Sequence, residues 1–323
     1  MNKHSPLSHS GSLLERAAEL YGFGSPAADL APRRMPGPSA DEELDPGLRR
    51  GTQDEEPDAG LRRGTESAPP VRNLLPVVAE AKAAVDRNKL RENGFIVPDS
   101  PAGPLAEEFR IVKRQLLLGM GAGSPVAADK RRTVLVCSAQ PDEGKTFCAV
   151  NLALSLAGER DHEVLLVDAD FPKPEVLDIL GLEAKSAGLV DALADPSLDP
   201  ERLVIRTDIG SLSVLPAGRY ENDVPELLGS GRTAEVLERL TRGRPKRIVI
   251  FDSPPALMAS AAAALASHVG QLMLVVRADQ TTEADLKEAA SLLSGCPQIS
   301  LLLNGTGFAA TGRRFGSYYG YGQ

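Results

Sequence analysis

The stretch Ala139-Gln140-Pro141-Asp142-Glu143-Gly144-Lys145-Thr146 organises the rest of this 323-residue chain. It follows an apolar, β-forming run from Thr133 to Cys137 and opens a helical pattern from Phe147 to Leu156. In that context G-x-x-x-x-G-K-[ST] is a phosphate cradle. Backbone N–H groups of the loop and the N-terminus of the helix form a concave donor site. The Lys145 ammonium adds a point charge toward the β and γ phosphates, and the Thr146 hydroxyl suits Mg²⁺. The loop predicts a nucleoside triphosphate site over Ala139 to Phe147, with Ala139 in the place of the usual first glycine.

Two further segments read as buried strands that end in carboxylates: Val164-Leu165-Leu166-Val167-Asp168-Ala169-Asp170 and Ile248-Val249-Ile250-Phe251-Asp252-Ser253-Pro254-Pro255. In open parallel sheets ligands sit outside the carboxyl ends of the strands, so Asp168, Asp170 and Asp252 are expected to converge on the phosphate loop. Mg²⁺ takes hard oxygen ligands and keeps several waters; one or two carboxylates, the Thr146 hydroxyl and phosphate oxygens suffice for it. The alternative for any single aspartate is a helix cap after its strand.

Apolar runs at Val134–Cys137, Val164–Val167, Ile248–Phe251, Leu272–Val276 and Ile299–Leu303 are nearly continuous, as in parallel strands covered on both faces. Leu212–Leu215 is a further strand candidate. Helical patterns lie at Thr146–Ala157, Val224–Leu240, Ala256–Ser267 and Thr281–Leu293. The fold class is therefore α/β, a three-layer α/β/α P-loop NTPase with a mainly parallel sheet. Ser25 to Pro70 is rich in Pro, Gly, Asp, Glu and Arg and poor in large apolar residues, so it cannot offset its chain entropy by burial. Residues 25–103 are expected to be a disordered linker and 1–24 a short helical segment, with the catalytic domain over 104–310 and a tail over 311–323. The repeated Gly47-Leu48-Arg49-Arg50-Gly51-Thr52 and Gly60-Leu61-Arg62-Arg63-Gly64-Thr65 read as a duplicated linker piece.

The formal charge of −8 argues against a nucleic-acid partner. Three cysteines without a C-x-x-C pair indicate a reducing compartment, with Cys137 and Cys148 as core residues. The start is polar and lacks a signal-peptide core. Ser253 to Val276 carries no Asp, Glu, Lys or Arg, but its prolines, serines and alanines read as loop, helix and strand and not as a membrane span. The last nine residues hold Tyr318, Tyr319 and Tyr321, three of the five tyrosines. Beside a triphosphate site they are expected phosphoacceptors. Tyr318 lies fourteen positions beyond Asn304, an extended reach of roughly 45–50 Å, enough to cross to a neighbouring subunit.

These strings together resemble the bacterial tyrosine kinases, or BY-kinases, and within them the stand-alone autokinases of exopolysaccharide loci associated with exosortase systems. The resemblance covers roughly residues 104–323. It rests on the P-loop Ala139–Thr146, the aspartate motifs Val164–Asp170 and Ile248–Pro255 with its double proline, and the tyrosine tail. Glu107-Glu108-Phe109-Arg110-Ile111-Val112-Lys113-Arg114 is similar to the family's E-x-x-R-x-x-R oligomerisation helix, with Glu107, Arg110 and Lys113 at the motif positions. Ser12-Leu13-Leu14-Glu15-Arg16-Ala17 looks like the short helix that begins such autokinases.

The resemblance implies an ATP- and Mg²⁺-dependent, non-specific protein-tyrosine kinase in a ring-like homo-oligomer, each tail phosphorylated by its neighbour, with a role in exopolysaccharide synthesis or export. It further implies a transmembrane polysaccharide co-polymerase partner, a cognate tyrosine phosphatase, and a cytoplasmic location, peripheral at the inner membrane through the partner. By motif, Lys145 and Thr146 would contact phosphate and metal, Asp252 the metal's water shell, and Asp168 with Asp170 metal and nucleophile. Asp170 is the expected base. A tyrosine hydroxyl, with a reference pKa of about 10, is neutral at pH 7 and gains from a carboxylate that accepts its proton. Asn304 resembles the adenine-contacting asparagine of related folds; a strand-ending turn before Gly305 is the other reading.

The chain departs from the family where Phe171-Pro172-Lys173 follows Asp170 in place of the common arginine, and where Asp142 replaces a common glycine. Two other classes stay open at this level. A MinD/ParA-type ATPase switch would share the fold, but its signature lysine position is Gln140 here. A non-catalytic scaffold would bind nucleotide without transfer.

Overall fold

The computed structural model describes residues 82–121, 123–183, 187–219 and 223–306. The helix expected at Ser12 to Ala17, the linker before residue 82 and the tyrosine tail lie outside the described residues. The strands are β1 (Thr133–Ser138), β2 (Glu163–Asp168), β3 (Ile205–Arg206), β4 (Leu212–Leu215), β5 (Arg247–Asp252), β6 (Gln271–Arg277) and β7 (Ile299–Asn304). They form one sheet in the order β3-β4-β2-β5-β1-β6-β7, parallel throughout except for the β3–β4 pair.

Alternation along each strand sends side chains into two separate cores. Val134, Val136, Val164, Leu166, Ile248 and Ile250 face one way. They meet α1 (Arg87–Glu92), α2 (Pro104–Gly119), α3 (Lys145–Ala157) and α4 (Val176–Leu180). Leu135, Cys137, Leu165, Val167, Val249 and Phe251 face the other way. There they pack on α5 (Leu189–Ala194), α6 (Val224–Gly229), α7 (Gly231–Thr241), α8 (Ser260–Ala266) and α9 (Glu283–Leu292). With both faces covered, the strand interiors can be apolar at successive positions, which is why the runs in the sequence are continuous. Burial pushes the thiols of Cys137 and Cys148 up to about 11 and about 12, as suits inert core residues.

Several expected boundaries move. The helical pattern Val224–Leu240 breaks into α6 and α7 at Ser230, whose backbone is extended (φ −82°, ψ 161°) between Gly229 and Gly231. The helix expected from Ala256 begins only at Ser260, because the segment after Pro254-Pro255 turns first. The helix expected from Thr281 starts at Glu283, capped by the Thr282 hydroxyl, which accepts from the Asp285 N–H. The linker does not run to residue 103, since the chain is folded from residue 82. The Ala83 N–H donates to the Arg206 carbonyl in a bridge beside β3, and Asp86 caps α1 through the N–H groups of Asn88 and Lys89. Val85 and Leu90 enter the core, and Arg87 and Lys89 pair with Asp208 and Asp178. Isolated apolar positions in a polar segment gave little pattern, but each finds a pre-existing hydrophobic face.

Candidate active site

Strand β1 lies between β5 and β6, so the chain leaves it at the point where successive connections diverge to opposite sides of the sheet. The loop from Ala139 to Gly144 turns there into α3. Gly144 has φ 94°, and a Cβ at that position would lie 2.1 Å from the Asn304 amide nitrogen, so only glycine fits. Asp142, where the family often has glycine, has φ 61°, a conformation that aspartate tolerates better than most residues. Ala139 is buried with no positive φ, so a glycine is not required there.

Lys145 is the first residue of α3 and reaches across to Asp170, Nζ to Oδ2 2.6 Å, with the Thr146 hydroxyl 3.3 Å from the same nitrogen. Burial opposes the Lys145 charge, but Asp252 and then Asp170 outweigh it and hold the pKa above its ordinary value. Asp168 and Asp252 end β2 and β5 in register with each other. Asp168 accepts from the N–H groups of Asp170 (3.3 Å) and Val176 (3.1 Å), and burial raises its carboxyl to about 7. Burial raises the Asp252 carboxyl to about 8, although Lys145 and the nearby Thr146 hydroxyl draw it down. Neither Asp252 oxygen has a hydrogen-bond partner of ordinary geometry, although the residue is 0% exposed.

Such orphaned oxygens are costly unless a cation or its hydration shell completes them. Among the described residues no cluster of three or more His, Cys, Asp or Glu could hold a metal alone. The donor set of Thr146, Asp252 and Asp168 instead fits Mg²⁺ that shares its shell with phosphate oxygens. Pro141, Asp142, Gly144, Lys145, Thr146 and Phe147 line a cleft of about 650 Å³, joined there by Asp170. Ala139, Gln140, Glu143 and Asn304 are absent from its lining, and of the three aspartates only Asp170 belongs to it, Asp168 and Asp252 being buried behind.

Residues from outside the phosphate loop complete the cleft. Phe95, from the segment read as linker, lies with its ring centroid 5.0 Å from that of Phe147, and the Ile96 N–H donates to the buried Asn151 of α3 (2.8 Å). Lys173 pairs with Glu175 at 3.0 Å, and both line the cleft with Pro255 and Met258. Asn304, expected at adenine, donates its amide to the Glu143 carbonyl (2.9 Å) and so holds the loop itself. In α2, Glu107 and Arg110 pair with each other. Lys113 binds the Ser155 carbonyl (3.0 Å) and Glu159 (2.6 Å), tying α2 to the end of α3. The three tail tyrosines lie outside the described residues.

The chain is 30% identical over 241 residues to the putative tyrosine-protein kinase EpsB of Ralstonia nicotianae (strain ATCC BAA-1114 / GMI1000), a match covering 70% of this chain and 29% of that protein. It is 28% identical over 223 residues to the tyrosine-protein kinase YwqD of Bacillus subtilis (strain 168), which covers 68% of this chain and 89% of that one. The chain is similar in sequence to the bacterial tyrosine kinases. Its fold is that of the P-loop NTPases and matches the kinase domain of the Escherichia coli tyrosine kinase ETK, with a TM-score of 0.57 and 24% identity over 74% of this chain and 94% of that domain. No protein-family model matches the sequence. The chain spans under a third of the length of the Ralstonia relative. No helix of the described residues is long and apolar enough to cross a membrane.

Proposed function

We propose that the chain is an ATP-dependent protein-tyrosine autokinase that phosphorylates Tyr318, Tyr319 and Tyr321 of a neighbouring copy. The observation that carries this reading is the pairing of Lys145 with Asp170 at 2.6 Å in the cleft bounded by the phosphate loop. In this arrangement each group masks the other. A triphosphate entering the loop draws Lys145 to its β and γ oxygens and so releases Asp170 as a carboxylate for the incoming phenol.

The phenol oxygen then bonds to the γ-phosphorus as the bond from that phosphorus to the β–γ bridging oxygen breaks. ADP leaves with the bonding electrons, and the phenol proton passes to Asp170. Mg²⁺, held by Thr146, Asp252 and Asp168, supplies charge neutralisation on the phosphates when bound. The loop N–H groups and Lys145 fix the phosphates, and alignment supplies most of the remaining rate. We assign to the same reading a ring-like homo-oligomer built through Glu107, Arg110 and Lys113, control of exopolysaccharide synthesis or export, and a transmembrane polysaccharide co-polymerase partner. A tyrosine phosphatase that resets the tail and a cytoplasmic position beside the inner membrane belong to it as well.

The test is incubation of purified protein with labelled ATP and Mg²⁺. Wild type should incorporate phosphotyrosine, whereas Lys145→Met and the triple variant Tyr318→Phe/Tyr319→Phe/Tyr321→Phe should not. Hydrolysis of ATP by wild type without label on the protein would overturn the kinase reading in favour of an ATPase switch.

A further inference from the structure

The Glu143 side chain points away from the cleft. It is fully buried, and both oxygens are engaged inside the protein: Oε2 accepts from the Gln140 N–H at 2.9 Å, and Oε1 accepts from the Thr281 hydroxyl. Thr281 belongs to the turn between β6 and α9, 138 residues away, and its oxygen accepts in turn from the Arg277 N–H at 2.8 Å. The same end of the sheet holds the loop at its neighbouring residues. Arg277 donates to the Asp142 carbonyl (3.2 Å), Asn304 to the Glu143 carbonyl (2.9 Å), and the Gln140 amide to Asp285 (3.2 Å). Gln140, Asp142 and Glu143 are thus each fastened to the β6–α9–β7 end.

A phosphate cradle works only if its N–H groups already converge before the anion arrives, because reorganising them would consume binding free energy. Asp142 sits at positive φ, a conformation that costs a non-glycine residue free energy and needs outside support. We propose that Thr281 is a positioning residue for the phosphate loop, acting through the Glu143 carboxylate on the Gln140 N–H. Its hydroxyl is the one side-chain donor recorded on Glu143 among the described residues. Without it a buried carboxylate oxygen loses its partner, and the loop must shift or admit water to restore one. The inference rests on the nucleotide-site reading and deepens it, since it places part of nucleotide affinity in a turn that never touches the ligand.

The experiment compares full-length wild type with Thr281→Val, which keeps the shape and removes the hydroxyl, and with Thr281→Ser, which restores it. Amide hydrogen exchange, read without nucleotide, should speed up at least tenfold at Gln140 in Thr281→Val, while the core amide of Leu135 stays unchanged. Binding of MgATP should weaken about tenfold, the loss expected for one hydrogen bond to a buried charged acceptor. The KM for ATP should rise by a similar factor with kcat held within about twofold. Thr281→Ser should lie near wild type in all three. Unchanged exchange at Gln140 in Thr281→Val overturns the relay, whatever the nucleotide result. Failure of wild type to bind MgATP overturns the site reading, and the exchange measurement still decides the relay. If Thr281→Val does not fold, Glu143→Gln, which replaces an acceptor oxygen with a donor, is read in the same way.

Discussion

Asp168 and Asp252 end adjacent parallel strands as register partners, yet the oxygens of Asp168 are held by two backbone N–H groups and those of Asp252 by none. Two buried carboxyls meet side by side where the backbone supplies donors for only one. The first stabilises the turn into α4; the oxygens of the second have no hydrogen bond of ordinary geometry.

This asymmetry sets a pH dependence. Burial raises both carboxyls, to about 7 for Asp168 and about 8 for Asp252, above the unfolded value of 3.8. Their folded-state pKa values exceed the unfolded ones, so the associated stability is fully present below about pH 4 and is lost as pH rises toward 8. Asp252→Asn removes the larger share. Its ligand-free melting temperature should exceed that of wild type by about 3–5 °C at pH 8 and match it near pH 4.5, a gap readable by calorimetry. Phosphotransfer should fall at the same time.

Lys145→Met leaves the buried Asp170 carboxylate without its ammonium. Breaking such a pair costs about 3–5 kcal/mol. Urea unfolding at pH 8 measures it. Lys145→Met/Asp170→Asn should recover part of the loss at pH 8, as expected if the penalty arises from the unpaired charge.

The segment from residue 82 to 103 should behave as part of the domain. Leu90 is 0% exposed, so Leu90→Ala should cost about 2–5 kcal/mol in urea unfolding. Asp86→Ala removes the cap of α1 and should cost about 1 kcal/mol. A flexible linker would show neither effect.

Within α2 the two basic motif residues should separate. Arg110 is half-exposed and, among the described residues, pairs with Glu107 along its own helix, so Arg110→Ala should leave the melting temperature unchanged while reducing assembly size in sedimentation. Lys113 is largely buried and ties α2 to the last turn of α3 through Ser155 and Glu159. Its cation also meets the negative end of that helix. Lys113→Ala should therefore lower the melting temperature by a few degrees as well as alter assembly.

The central sheet and the phosphate loop were legible because both are written in contiguous residues. Continuous apolar runs mark strands covered on two faces, and Gly144-Lys145-Thr146 after such a run marks the turn from strand into helix. Asp168 and Asp252 could be placed beside the loop because strand ends in a parallel sheet share one edge. Local punctuation was harder to read: nothing in the periodicity of Val224–Leu240 outweighed the continuous helical pattern across Gly229-Ser230-Gly231, and only packing of the two halves shows the break.

What the sequence could not yield were partnerships between residues far apart along the chain. Phe95 on Phe147, Lys113 on Glu159, Asn304 on the Glu143 carbonyl and Thr281 on the Glu143 carboxylate each join segments whose patterns say nothing of one another. Residue type and spacing dictate which elements form and which edge carries the chemistry, because those depend on neighbours in the chain. Which side chain completes a buried hydrogen bond depends on distances set only after the helices close over the sheet, and so it was decided by the folded chain alone.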